Sequence, residues 1–233
     1  MTMKHTLFTL LAALVASPAF AGNLNSSDWK RLCDSYVYHA HNFTFVDGNL
    51  VAHDGVTSGF TGTCDLLYTS TAPKMENGSS LAITLQFAST QGLEDFTVAP
   101  YDIDAACLWV WTNGDSFVLT QWDSATDAMN PHLLTEASET SASLTLNFIV
   151  ENGNLCYTYK FNGGGESEKF TVVEGINTSL AWQPRFSWNV GNATEVTVTE
   201  VTFSTSSPMV PEPATATLSL LALVGLAARR RRK

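Results

Sequence analysis

Positive charge is scarce in this chain. Its 233 residues hold 12 Lys and Arg against 22 Asp and Glu, and five of the twelve are the terminal Arg229 to Lys233. Between residues 22 and 210, six basic residues face 21 acidic ones, a net charge of −15. A surface of that sign repels nucleic acid, which excludes it as a partner, and repels anionic lipid. Helical periodicity is missing too; DWKRLCDSY (28–36) is the one stretch composed for a helical turn or two. No P-loop, dinucleotide fingerprint or nucleophile elbow occurs, so nucleotide-dependent and serine-hydrolase chemistry have no local signature. The four cysteines include no CxxC pair and no zinc spacing.

The ends of the chain are what it does have. MTMKHTLFTLLAALVASPAFAG opens with Lys4 and His5, runs apolar from Leu7 to Ala16, breaks at Pro18 and closes on Ala19-Phe20-Ala21. That order is a secretory leader over 1–21, cleaved before Gly22. At the other end, Ala214 to Ala228 is an apolar run of 15 residues. As a helix it spans roughly 22 Å at about 1.5 Å per residue, against a hydrocarbon core of about 30 Å. It crosses only by thinning the bilayer, recruiting neighbours or letting the arginines snorkel. The cationic terminus then stays cytoplasmic, leaving the body of the protein outside.

Pro211-Glu212-Pro213, the apolar run, and Arg229, Arg230, Arg231 and Arg232 at the terminus together resemble the PEP-CTERM sorting signal of Gram-negative bacteria. The resemblance covers about 24 residues. It implies an exported protein held briefly at the inner membrane, where an exosortase-type enzyme recognises the motif and removes the tail. The product passes to the cell surface or extracellular matrix. The expected organisation is leader 1–21, body 22–205, linker 206–213 with the motif, and sorting helix plus basic tail 214–233.

The body reads as strands. Asp47-Gly48 sits between two apolar runs, as a two-residue type I′ hairpin turn requires. Asn113-Gly114 and Asn152-Gly153 repeat the pattern. The last turn pairs Val150 with Leu155, Phe148 with Tyr157 and Leu146 with Tyr159, putting all six on one face. LAITLQF alternates Leu81, Ile83, Leu85 and Phe87 against Ala82, Thr84 and Gln86. EKFTVV and PRFSWNV follow, then TEVTVTEVTF, whose apolar parity changes near Thr199-Glu200 and predicts a bulge. Short strands between Gly and Asn turns predict an all-β antiparallel sandwich, or jelly roll. All four cysteines (Cys33, Cys64, Cys107 and Cys156) fall in the exported part, where two disulfides are expected. Cys33–Cys64 and Cys107–Cys156 are nearest in sequence; three connectivities, and buried thiols, stay open.

SSLAITLQFAS, the Trp109–Trp111 strand and TEVTVTEVTFS also resemble the concanavalin A-like and laminin-G-like jelly rolls. That implies carbohydrate- or protein-binding modules, some of them glycosidases. Retaining glycosidases of that fold carry E-x-D-x-x-E, which sets two carboxyls about 5 Å apart; this chain has no such pattern. Glu166 and Glu168 beside Gly163 to Gly165, and Glu136 and Glu139 in a Ser/Thr-rich stretch, read as solvated charge.

Few other residues suggest chemistry. His39 and His41 have strand spacing and His53-Asp54 follows, short of the converging set a metal needs. No cofactor is assigned; Asp102, Asp104, Asp47 and Asn49 supply oxygens of the kind calcium takes. The tryptophans matter most. A turn at Asn113-Gly114 pairs Val110 with Phe117 and Leu108 with Leu119, leaving Trp109, Trp111 and Trp122 together on the opposite face. They form either an open platform for sugar rings or a layer packed beneath covering segments.

The expectation is an exported, non-enzymatic sandwich protein that binds glycan or exopolysaccharide; a divergent glycoside hydrolase or lyase is the alternative. Intact-mass measurement of the native surface protein checks the processing. A species starting near Gly22 and ending near Pro213 is expected, and one retaining Arg229 to Lys233 contradicts the sorting reading.

Overall fold

The computed structural model describes residues 20–21, 24–32, 43–53, 63–101, 106–123, 128–189 and 193–205. The sorting tail, Cys33, His39, His41, Asp54, Asp102 and Asp104 lie outside them, as do the side chains of Cys64 and Trp122. Among the described residues no helix is long and apolar enough to cross a membrane.

Among the described residues, fifteen strands make up almost all the regular structure. The first five are β1 (Phe20–Ala21), β2 (Trp29–Arg31), β3 (Phe43–Val46), β4 (Asn49–Ala52) and β5 (Thr63–Tyr68). Then come β6 (Ser80–Phe87), β7 (Phe96–Ala99), β8 (Leu108–Asn113), β9 (Ser116–Asp123) and β10 (Ala128–Glu136). The last are β11 (Ala142–Glu151), β12 (Asn154–Phe161), β13 (Phe170–Val173), β14 (Arg185–Asn189) and β15 (Val196–Ser204). An eight-stranded sheet has the order β13-β12-β11-β6-β15-β4-β3, with β1 also on β15. A seven-stranded sheet has the order β10-β9-β8-β7-β14-β5-β2. Every pairing is antiparallel, which makes the protein the expected sandwich.

The alternation read from the sequence places the core. Leu81, Ile83, Leu85 and Phe87 are all buried, and the β11–β12 hairpin has Val150 on Leu155, Phe148 on Tyr157 and Leu146 on Tyr159. Asp47 and Asn152 take φ of 50° and 52°, followed by Gly48 and Gly153 at 77°, the left-handed pair of a type I′ turn. The bulge in β15 falls between Val198 and Glu200. On the seven-stranded side, Phe186 stacks on Trp29 at 5.3 Å and on Phe96 at 5.9 Å, and Trp188 meets Phe96 edge-on at 6.0 Å. One side of the sandwich is closed by His132 of β10, 4.3 Å from Phe170 of β13. Gln121 Nε2 donates to Thr171 O at 2.9 Å across the same gap.

Three expectations need correcting. Over residues 28–32, the described part of the 28–36 stretch, there is no α-helical turn: a short 3₁₀ turn at Ser26–Asp28 leads directly into β2. Trp29 is needed in the core, and pairing with β5 supplies backbone partners that a lone helical turn lacks. The β8–β9 turn is Gly114-Asp115, because Asn113 pairs with Ser116. Gly114 takes φ 59° while Asp115 stays out of the left-handed region, the type II′ rather than I′ pattern. Val110 therefore pairs with Leu119 and Leu108 with Gln121. This shift moves each partner by two residues, so it leaves the faces unchanged.

The third correction concerns sulfur. Cys107 precedes β8 in the seven-stranded sheet and Cys156 lies on β12 in the eight-stranded one, and no disulfide joins them. Cys156 alternates with the core residues Leu155 and Tyr157, so it faces away from the opposite sheet. Its Sγ instead lies 3.8 Å from Thr171 Oγ1. A bridge needs side chains that point toward each other with Cα atoms within about 7 Å, and Cys156 points out of the sandwich. Thiol titration of the unfolded, unreduced protein should label Cys156; a protein with no reactive thiol contradicts this placement.

Candidate functional site

Because β8 and β9 bury Leu108, Val110, Phe117 and Leu119 between the sheets, alternation turns Trp109 and Trp111 to the outer face of the seven-stranded sheet. Both are half-buried there. Trp111 Nε1 donates to Thr120 Oγ1 on β9 at 2.9 Å, which anchors the indole over its neighbour strand. Trp122 pairs with Met129 in backbone register; its side chain is outside the described residues. The structure thus brings Trp109 and Trp111 to one face.

The register extends this face into a polar row. Trp109 lies opposite Thr120 on one side and Thr97 on the other, Thr97 opposite Ser187, and Ser187 opposite Asp65. Five neighbouring strands therefore present Thr120, Trp109, Thr97, Ser187 and Asp65 side by side. Thr120, Thr97 and Ser187 are buried, so this is a partly covered hollow rather than a flat sheet. Arg185, two residues before Ser187, is paired with Asp65 through an Nη2–Oδ2 contact of 2.5 Å. Beyond it a cleft of about 460 Å³ opens, lined by Leu67, Tyr101, Leu180, Gln183 and Arg185 among others. At the opposite edge, β10 exposes Met129 and Leu133, the latter 65% accessible, which continues the apolar rim beside Trp111 and Val118.

Asp95 is the residue the sequence reading missed. It sits two residues before Thr97 and accepts that hydroxyl at 3.1 Å, on the side of the sheet that carries Trp109 and Trp111. Burial pushes its pKa up to about 6, with the Thr97 hydroxyl opposing. Alternation through Phe96 and Val98 already marked Asp95 as outward. Asp65 with Arg185, 120 residues apart, left no local signal. Glu136, Glu139, Glu166 and Glu168 are exposed, as expected. Asp47 is exposed in its hairpin turn, and among the described residues no three His, Cys, Asp or Glu converge as a metal site.

The raised Asp95 pKa sets a pH dependence. In the unfolded chain the group titrates near about 3.9, so between that value and about 6 the folded protein binds more protons. This contribution to stability is therefore present below about pH 4 and is lost as pH rises through about 6. Asp95→Asn should be more stable than the parent at pH 7, by up to roughly 3 kcal/mol, and the difference should shrink toward pH 4. Urea melts at both pH values check this; an equal or lower stability of Asp95→Asn at pH 7 contradicts it.

Residues 210–233 match the family model of the PEP-CTERM protein-sorting motif. No curated protein sequence matches the chain. Among solved structures, it is similar to the CBM2 module of the evolved Dit of Lactobacillus casei BL23 phage J-1, at 13% identity and a TM-score of 0.51. That match covers 81% of this chain and 96% of the module. A beta-1,3-glucanase from Mycobacterium marinum matches at 11% identity and a TM-score of 0.51, over 78% and 94% of the two chains. The exoplasmic/lumenal domain of VIP36, in its Ca2+/Man3GlcNAc-bound form, matches at 7% and 0.50, over 82% and 90%. Likeness at such identities speaks for the fold alone, and 374 solved chains share it. The chain thus joins an antiparallel β-sandwich, of the fold these structures share, to a carboxy-terminal segment that matches the PEP-CTERM protein-sorting motif.

Proposed function

We propose that this is an exported glycan-binding protein that an exosortase-type enzyme releases from the inner membrane to the surface of a Gram-negative cell. The binding face is the outer face of the seven-stranded sheet. One observation carries the reading: Trp109 and Trp111 are turned out of a core that takes every neighbouring apolar residue of β8. Indole faces stack on the C–H faces of sugar rings, and farther along the same face Asp65, Arg185 and Gln183 supply acceptors and donors for hydroxyls. The fold's likeness to a CBM2 module, a glucanase and a Man3GlcNAc-bound domain supports the same ligand class.

A second reading has its own observation. Asp95, held near a pKa of 6, and Asp65, held by Arg185, make an acid–carboxylate combination of the kind glycosidases use. Two strand spacings of about 4.8 Å and two residues of rise put their Cα atoms roughly 12 Å apart. Hydrolysis of a polysaccharide that vanishes in Asp95→Asn would favour this reading over binding alone.

Affinity electrophoresis through gels containing different polysaccharides tests the proposal. Retardation by at least one glycan is expected, weakened in Trp109→Ala and Trp111→Ala by about 1 to 3 kcal/mol each, taking base–aromatic stacking as the measure. Both variants should keep a cooperative melt. Trp188→Ala, which empties a fully buried position, should lose about 3 to 5 kcal/mol of stability instead. Unchanged retardation in both outward variants contradicts the assignment of the face.

A further inference from the structure

The glycine-rich segment after β12 builds a second cleft on the other side of the molecule. Asn162 and Gly163, at φ 49° and 69°, turn the chain, and a Cβ on Gly164 would lie 3.0 Å from the Phe161 carbonyl oxygen. Asn162 Oδ1 accepts from Ser143 N at 2.8 Å and fixes the turn. Ser167 then rejoins β12, its amide donating to Tyr159 O at 2.8 Å and its Oγ accepting from Tyr159 N at 2.9 Å.

This return path carries Glu166 and Lys169 over the outer face of the eight-stranded sheet. The Thr158 hydroxyl donates to Glu166 Oε1 at 2.5 Å. Lys169 Nζ donates to both oxygens of Glu151 at 2.7 Å. The floor between them is a cross-strand row, Thr158 opposite Asn147 and Asn147 opposite Ala82, flanked by Ser80 and Ile149. Small side chains in that floor leave a cleft of about 540 Å³. Glu166 is held below the usual carboxylate range by the Thr158 hydroxyl first, then by Lys160, the Asn147 amide and Lys169.

We infer that this cleft is a second saccharide site, binding a small neutral sugar through neighbouring hydroxyls, with Glu166 as acceptor and Lys169 and Asn147 as donors. A fixed carboxylate, an ammonium group and an amide around a small-residue floor match the donor–acceptor alternation of adjacent hydroxyls. Phe148 lines the cleft only from the core side, its side chain fully buried between the sheets, so hydrogen bonds rather than stacking select the ligand. The net charge of −15 between residues 22 and 210 disfavours an acidic sugar. The ligand class rests on the glycan reading above; the cleft itself does not. Sites on opposite sheets would let one protein bridge two glycan chains, which gains avidity without new contacts.

Titration of isotope-labelled protein with glucose, galactose, mannose and N-acetylglucosamine, read by amide chemical shifts, tests the site. Expected are shifts at Asn147 and at Gly164 to Lys169 with at least one sugar, and they should persist in the Trp109→Ala, Trp111→Ala double variant. That persistence separates this site from the first, so failure of one face leaves the other measurable. Glu166→Gln should weaken the response about tenfold or more, with unchanged spectral dispersion reporting an intact fold. Silence at these residues with all four sugars overturns the inference, as does a response of equal affinity in Glu166→Gln.

Discussion

A strand sends alternate side chains to opposite faces, so only every second one enters the core between the two sheets. The rest of the structure follows from which set that core takes. Leu108, Val110, Phe117 and Leu119 go inward on β8 and β9, and Phe96 and Val98 on β7. At about 25 cal/mol per Å² of apolar surface, burying each such side chain is worth about 1.5 to 3 kcal/mol. No arrangement that buries Trp109 and Trp111 in the same core keeps that gain, because a one-residue slip exchanges the faces entirely. The aromatic and polar outer face is therefore the complement of the core. Its composition is set by the same alternation that holds the sheets together.

That complement contains groups that stability alone does not explain. Asp95 is pushed up to about 6 by burial, a cost to the folded state at neutral pH that an asparagine would avoid. Asp65 and Arg185 form an ion pair that is only partly exposed, at 21% and 26% of their side chains. Such a pair stabilises little once desolvation is set against attraction. Carboxylates, a guanidinium and half-buried indoles along one sheet face are what the proposed binding surface would require, and functional surfaces commonly retain such costs.

Much of this was legible in the residues because it is local. Alternation in LAITLQF, the Asn152-Gly153 turn and the parity change in TEVTVTEVTF each name their own geometry, and each is found as read. Asn113-Gly114 misled because Asn-Gly and Gly-Asp are both good turn dipeptides; only pairing across the whole hairpin decides between them. Face assignment survived since the correction moved partners by two. Cys107–Cys156 failed for a different reason: nearness in sequence says nothing about which sheet a strand joins. The ion pair of Asp65 with Arg185, and the hollow it borders, depend on β14 lying between β5 and β7, a non-local arrangement that no single stretch encodes.

The claim at the centre of this account is that the face carrying Trp109 and Trp111 meets the ligand while the core tryptophans do not. The indole N–H resonances of the protein report on each tryptophan separately. On addition of a bound oligosaccharide, the Trp109 and Trp111 signals should shift, with those of the buried Trp182 and Trp188 unmoved. Saturable binding that leaves both the Trp109 and Trp111 indoles unshifted would contradict the account.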